Sequence, residues 1–450
     1  MNAKKCLLIK NATILTVNSN KDVLTNGAVF VEGELIKDVG PSDELSVRYP
    51  NPDEEIDAKG CIVLPGFVSV HNHAGYLIYR GISEDIGQAP TPDLYVPMNQ
   101  IITREERKNI GSLAISELVR GGVTTIFQME EDVDVFTEFT HEIGIRSLMS
   151  IMTNDLCFEK FKNSVIEYDP LLTASEISKT ENFIDVIKTY KSDRLIPAVA
   201  ANMALTCSPE LLQGLSKVAS KNGLKLTIHV GIGKKEIEHV DKYYGKTPFQ
   251  HAFDNGVLNK NVVAVHCHTV SDEDLQLMAK AEVSVAHCPQ INSFRGVSAR
   301  LIDFCRQGIK VGLGVDNFFS DYFEVIRSAI SVSRLKAGDA TTLKAYEALE
   351  LSTIESAKVL GLDKQVGSIE VGKKADIQIV DMDGFGVCPV TDPIATLVYH
   401  AKSKDVDTVL VGGEVLLRNK KLTKVNERKV LSDAKSSSRN VWKRFNEINS

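Results

Sequence analysis

No Cys-x-x-Cys pair, no bilayer-length apolar run, no block of basic residues and no low-complexity linker occurs in this chain of 450 residues. The eight cysteines, Cys6, Cys61, Cys157, Cys207, Cys267, Cys288, Cys305 and Cys388, are scattered. That excludes a zinc ribbon and reads as reduced thiols, not as a disulfide framework. The apolar stretch Cys6-Leu7-Leu8-Ile9 after the opening residues is too short for a secretory signal, and nothing later could span a membrane. A net charge of -7 without basic clustering leaves no electrostatic footprint for nucleic acid or an anionic membrane. The expectation is a cytoplasmic protein with a small-molecule partner, no nucleic acid and no membrane.

Apolar residues make up 43% of the chain and charged residues 25%, an ordinary globular balance that can bury a sizeable core. The length exceeds the usual single-domain range, so one large domain with a smaller companion is expected. Short β-rich runs broken by Gly, Asn and Asp fill residues 1–60, and a similar block returns over residues 363–425, around Gly367 to Asp381 and Val406 to Leu417. The two ends are read as one β-sandwich domain. Residues 426–450 read as a helical segment, with Ser436 to Phe445 anchored by Val441, Trp442 and Phe445.

Residues 61–362 change to apolar strands separated by helical stretches, the pattern of parallel βαβ units. Strands are predicted near Ile62 to Val70, Thr124 to Gln128, Arg146 to Met152, Leu195 to Ala200, Lys225 to Ile228, Val262 to Val265, Ser284 to Ala286 and Val311 to Val315. Helix starts punctuate them at Thr103-Arg104-Glu105-Glu106, Ser208-Pro209-Glu210 and Ser271-Asp272-Glu273-Asp274. Eight such strands are best closed as an α/β barrel of the (β/α)8, TIM-like type, with an open doubly wound sheet as the alternative.

Reactive residues of such a barrel sit at the C-terminal ends of its strands. His71 and His73 end the first strand, and at positions i and i+2 of a strand they point the same way. His229, His266 and Asp316 each end a later apolar strand. Imidazoles and a carboxylate suit Zn2+ or Fe2+ with one position left open, where the cation lowers the pKa of its water. Asp316 is placed both to touch the metal and to take the water's proton, and His266 to orient the water or polarise the substrate.

With these residues in place the chain resembles the amidohydrolase superfamily, in the branch of guanine deaminase, adenosylhomocysteine deaminase and the s-triazine hydrolases. The resemblance rests on Pro65 to His73, Arg80-Gly81-Ile82, Thr206 to Leu212, Ala286-His287-Cys288-Pro289, Val311 to Asp316 and Gly367 to Asp376, in order along nearly the whole chain. It implies a mononuclear site with His71, His73, His229 and Asp316 as ligands, one divalent ion per subunit, Zn2+ in preference to Fe2+. It also implies His266 beside the reacting water, a homo-oligomer, and hydrolysis of C–N bonds in a nitrogen heterocycle, foremost deamination. Strand four carries no lysine, which argues against the two-metal version bridged by a carboxylated lysine.

The chain departs from that branch at two positions. Its deaminases carry a proton-shuttling glutamate three residues after the strand-five histidine, where this chain has Ile232, and a substrate-contacting histidine where it has Asn202. General acid help to a leaving amine is worth about 10²–10⁴-fold. Three readings follow: another acid such as Glu84, Asp85 or Glu130 shuttles the proton; the leaving group is chloride, a thiolate or part of a cyclic amide; or the protein binds metal and ligand without catalysis.

The long connection from His73 to Thr103 is expected to form a lid able to stack on a planar ring, with Tyr76, Arg80 and Glu84 among its substrate contacts, joined by Asn202 and His266. His268 shares the face of His266 if that strand continues. His287, Cys288 and Cys267 are read as buried, and Glu130-Glu131-Asp132 as a solvated helix N-terminus.

Overall fold

The computed structural model describes residues 5–86, 94–161 and 165–449, so residues 87–93 of the expected lid lie outside the described residues. The N-terminal strands are β1 (Cys6–Leu15), β2 (Val23–Glu32), β3 (Leu35–Pro41), β4 (Glu54–Asp57) and β5 (Cys61–Pro65). The central strands are β6 (Phe67–Asn72), β7 (Val123–Glu130), β8 (Arg146–Thr153), β9 (Leu195–Pro197), β10 (Val199–Met203), β11 (Leu226–Val230), β12 (Val262–His266), β13 (Ser284–His287) and β14 (Val311–Leu313). The C-terminal strands are β15 (Ile377–Asp381), β16 (Val406–Val411), β17 (Glu414–Arg418) and β18 (Lys421–Leu422).

Both chain ends enter one mixed sheet, ordered β18-β17-β16-β15-β5-β1-β2-β3 with β4 beside β1. They meet where β15 runs antiparallel to β5, Ile379 opposite Val63. The central strands form a second, parallel sheet ordered β6-β7-β8-β10-β11-β12-β13-β14, with β9 beside β8. Its first and last strands approach each other: Asn72 bridges to Asp316, Asp316 N–H donates to His71 O at 3.1 Å, and His73 N–H donates to Asp316 O at 2.7 Å. The buried Tyr322 hydroxyl, 2.7 Å from Val68 O and 2.8 Å from Leu313 O, spans the same seam lower down. The barrel is thus drawn together at the residues carrying His71 and Asp316.

The strands of this sheet are buried on both faces and accordingly read as nearly continuous apolar runs, as in Val262-Val263-Ala264-Val265. Continuity hid one boundary. The run predicted as a single strand from Ile62 to Val70 is two strands in two sheets, divided at Gly66. A Cβ on Gly66 would lie 2.0 Å from Thr124 Cγ2, so the chain can turn from one sheet to the other only where no side chain intervenes. Strand four likewise breaks at Ala198 into β9 and β10 and runs on to Met203.

The helix starts form as their caps dictate: Thr103 with Glu106 and Ser271 with Asp274 make reciprocal capping boxes, and Ser208 caps the helix that begins at Pro209. A buried ion pair ties the two sheets. Arg146 on β8 directs Nε (2.9 Å) and Nη2 (3.1 Å) onto the carboxylate of Asp376, which also accepts from Gly412 N–H at 2.7 Å. The C-terminal helix, Glu427–Asn449, reaches beyond the anchored stretch Ser436 to Phe445 at both ends, and Trp442 Nε1 donates to Ile78 O at 3.1 Å. Among the described residues no helix is long and apolar enough to cross a membrane.

Candidate metal centre

Four imidazoles and a carboxylate converge at the C-terminal mouth of the barrel. His229 Nε2 lies 3.3 Å from both His71 Nε2 and His73 Nε2. Asp316 Oδ1 lies 3.6 Å from His71 Nε2 and 3.8 Å from His73 Nε2, and its Oδ2 lies 3.5 Å from His266 Nε2. All five residues are buried.

The hydrogen bonds behind the rings decide what faces the centre. His73 Nδ1 meets Met129 O at 2.5 Å and His229 Nδ1 meets Asn202 O at 2.6 Å. A carbonyl oxygen only accepts, so each Nδ1 carries the proton and each Nε2 presents a bare lone pair. Burial holds the His71 and His229 pKa values down to about 3, and burial followed by the neighbouring imidazoles holds His73 and His266 well below the ordinary histidine value. The rings are neutral, the form a metal ligand requires. Neutral lone pairs packed this closely around Asp316, whose buried Oδ2 accepts no hydrogen bond, fit a divalent cation of the Zn2+ or Fe2+ type.

Local backbone serves this convergence. His266 and Cys267 have φ of +68° and +47°, and Asp316 has +71°, a region non-glycine residues rarely occupy and one that carries strain at functional sites. These turns swing His266 and Asp316 inward and break the strand alternation after His266. His268 therefore leaves the site and pairs with Thr269 Oγ1 at 3.1 Å. Gly314 permits the close seam: a Cβ there would lie 3.0 Å from both His71 Cβ and Cys288 Sγ.

The convergent groups open into a cavity of about 360 Å3, a volume suited to a small ligand. Tyr76 lines it beside the ring of His73, 5.0 Å between centroids, and Asn202 lines it from the end of β10. Ile232 lines it as well, with Met152, Met203 and Phe158 giving an apolar wall.

Other sequence-predicted contacts lie elsewhere. Arg80 does not reach the cavity, because its guanidinium forks onto Glu117 at 3.0 and 2.6 Å and its Nε donates to Phe318 O. Glu84 caps the local turn by accepting from Gly81 N–H at 3.0 Å and also stands outside. The 3-10 helix over Ala74–Tyr79 buries Tyr76, and the chain emerges at the exposed Arg80 and Gly81.

The acidic run after strand two is not solvated. β7 extends to Glu130, which is fully buried, accepts from Gly75 N–H at 2.7 Å, and has its pKa raised by burial to about 8 against the pull of Arg107. Glu131 and Asp132 line the cavity with Arg107, and burial raises the Glu131 pKa also. Arg295, between β13 and β14, escaped the sequence reading; Glu131 was read as solvated and Cys288 as buried, and the Cys288 Sγ falls within 4.8 Å of ligand atoms of His266 and Asp316. Cys288 alone carried a signal, since it directly follows a strand end. Burial pushes its thiol pKa well up, so it stands as a protonated thiol.

Comparison with known proteins agrees with this geometry. The model of the amidohydrolase family matches residues 62–416. A 5-methylthioadenosine/S-adenosylhomocysteine deaminase of Caldanaerobacter subterraneus subsp. tengcongensis is 30% identical over 441 residues, covering 97% of this chain and 98% of that protein. The crystal structure of an adenosine deaminase from Xanthomonas campestris with bound zinc superposes with a TM-score of 0.89 at 23% identity, covering 97% and 98% of the two chains. An atrazine chlorohydrolase from Arthrobacter aurescens, complexed with zinc, superposes with a TM-score of 0.84 at 21% identity, covering 96% and 100%. With a family match across most of its length and a barrel that gathers His71, His73, His229, His266 and Asp316 at one mouth, the chain belongs to the amidohydrolase family, as a hydrolase of C–N bonds.

Proposed function

We propose that this protein is an aminohydrolase that removes an exocyclic amino group from a small nitrogen heterocycle, using one divalent cation, Zn2+ in preference to Fe2+, held by His71, His73, His229 and Asp316. The observation that carries the reading is the convergence of neutral imidazoles and one carboxylate beneath a ring-sized cavity. Relatives named as methylthioadenosine/adenosylhomocysteine and 5'-deoxyadenosine deaminases, about equally similar along the whole chain, support the amino leaving group. A cation bound at this site supplies Lewis acidity and lowers the pKa of its water toward neutrality.

The chain's own residues divide the remaining work. Asp316 Oδ2, without a hydrogen-bond partner, accepts a proton at the site of attack. His266, neutral and 3.5 Å from that oxygen, offers its N–H to the negative charge that develops on the ring. Tyr76 and the apolar wall at Met152 and Ile232 sandwich a planar ring, and the Asn202 amide reads its polar edge. Glu131 replaces the acid absent at Ile232: it faces the cavity, its Oε2 is buried without a partner, and burial favours its protonated form, from which it donates to the leaving amine. The buried, unpaired thiols Cys207, Cys267 and Cys288 support a cytoplasmic location.

Ile232 favours a second reading, a leaving group such as chloride that departs as an anion and needs no proton. Zinc-loaded protein incubated with paired amino- and chloro-substituted purines, pteridines, pyrimidines and triazines separates the two. Ammonia release that falls at least about tenfold in Glu131→Gln is expected. Chloride release without ammonia from any member of the panel would overturn the aminohydrolase reading.

A further inference from the structure

The cavity is electrically lopsided. Beside the convergent ligands stands the guanidinium of Arg295, half-buried, lining the cavity from between β13 and β14. Its Nη2 lies 3.5 Å from the Tyr95 hydroxyl. With the Asn317 amide oriented to satisfy both neighbours, that side chain donates to Asp316 Oδ1 at 2.7 Å and accepts from Arg295 Nη2 at 3.2 Å. Both partners are neutral, and Arg295 forms no ion pair among the described residues. The contrast with Arg107 is sharp: that guanidinium, also at the cavity, is answered by Asp132, with Nε 3.3 Å from its carboxylate. Arg295 is thus a cation held one residue away from the metal site with its countercharge missing.

A half-buried arginine left unneutralised is costly unless something else supplies the charge. Its planar fork matches an oxygen pair, above all a carboxylate or the oxyanion edge of a ring. A neutral aminopurine offers it ring-nitrogen acceptors but no countercharge. The cavity lining also carries Glu131 and Asp132, which suit amino and ring N–H donors.

We infer that Arg295 is a specificity residue that binds an anionic oxygen of the substrate, so that the natural substrate is a negatively charged heterocycle, with its anionic edge toward Arg295 and its amino edge toward Glu131. This rests on the aminohydrolase reading for the amino edge only; the anion subsite stands on Arg295, Tyr95 and Asn317.

The test uses two probes differing in one charge, pyrimidine-4-carboxylate and pyrimidine-4-carboxamide, titrated calorimetrically into metal-free and zinc-loaded wild type, Arg295→Gln and Arg295→Lys. The carboxylate is expected to bind at least about tenfold more tightly than the carboxamide in both wild-type forms. That preference should disappear in Arg295→Gln and persist in reduced form in Arg295→Lys. Its presence without zinc excludes direct ligation of the metal as the cause. Should Arg295→Gln fail to fold, wild type still decides, since the preference must shrink as salt is raised. No preference in the metal-free wild type, or one that survives in Arg295→Gln, overturns the proposal. Ammonia release by zinc-loaded wild type is scored separately: ammonia without a charge preference sinks the anion subsite and leaves the aminohydrolase, whereas a charge preference without ammonia does the reverse.

Discussion

The carboxylate of Glu236 accepts a hydrogen bond from the backbone N–H of Ile232 at 2.8 Å. It is buried behind the turn that follows His229, away from the cavity, and fixes the loop that puts isoleucine at the mouth. Burial raises its pKa from 4.5 to about 7 despite the N–H groups of Ile232 and Gly231. A carboxyl whose folded pKa lies above its unfolded value favours folding most below the unfolded value. That stability is lost as pH rises toward the folded pKa. Wild type should therefore weaken between pH near 4.5 and near 7, by up to about 3 kcal/mol from this group. Glu236→Gln keeps an acceptor but cannot ionise, and its melting temperature should fall less across that interval. Parallel pH profiles for the two proteins would refute the assignment.

Asp376 and Arg146 are buried to 4% and 0% exposure and join the barrel to the terminal sheet through two nitrogen–oxygen contacts. Removing Asp376 leaves the buried Arg146 with only the half-exposed carboxylate of Asp193, 4.0 Å from its Nη1, as countercharge. Asp376→Ala should cost about 3–5 kcal/mol in denaturant unfolding. Arg146→Met with Asp376→Leu, which removes both charges, should recover much of that loss.

Ligand removal should be visible in both metal content and stability. Stoichiometric zinc is expected in wild type after dialysis and its loss in His71→Ala, measured by elemental analysis. A cation bound only to the folded form stabilises it with the logarithm of its free concentration over its dissociation constant, and so raises the melting temperature. A chelator should therefore lower the melting point of wild type and leave that of His71→Ala unmoved. Equal zinc in both proteins would break the ligand assignment.

The convergent positions were legible because each ends an apolar strand, and a parallel barrel brings strand ends to one mouth. Side-chain alternation alone put His71 and His73 on one face. What escaped did so for physical reasons. Both halves of the run from Cys61 to Val70 are buried, so no change of periodicity marks Gly66, and only the contact with Thr124 reveals the division. Glu130 was read as solvated because β7 runs two residues beyond Gln128, where the apolar pattern ends. Arg80 and Glu84 follow His73 closely in sequence, yet the short 3-10 helix Ala74–Tyr79 suffices to carry them out of the cavity. Arg295 closes the C-terminus of the helix Pro289–Phe294, which at six residues is too short for a periodicity to show which way its end points. The left-handed turn at His266, which excludes His268, is set by tertiary packing and leaves no mark on the sequence.

The substitution at position 232 gives the most direct test of how protons reach the leaving group. Ile232 and Glu131 both line the cavity, from the turns that follow β11 and β7, three places apart in the barrel order. If Glu131 supplies the proton, Glu131→Gln alone should depress ammonia release strongly. Ile232→Glu should raise release from neutral amino heterocycles by at least about tenfold, since a positioned general acid is worth 10²–10⁴-fold and a shortened apolar wall gives some of that back. The two changes act on one proton transfer and cannot be additive. In the Ile232→Glu background the loss caused by Glu131→Gln should shrink to about threefold or less, because the new acid takes over. The cycle of four proteins, assayed for ammonia at saturating and limiting substrate, reads this coupling directly. Additive effects would show that Glu131 acts on ring binding and not on the leaving group, which would appear as a change in KM with kcat preserved.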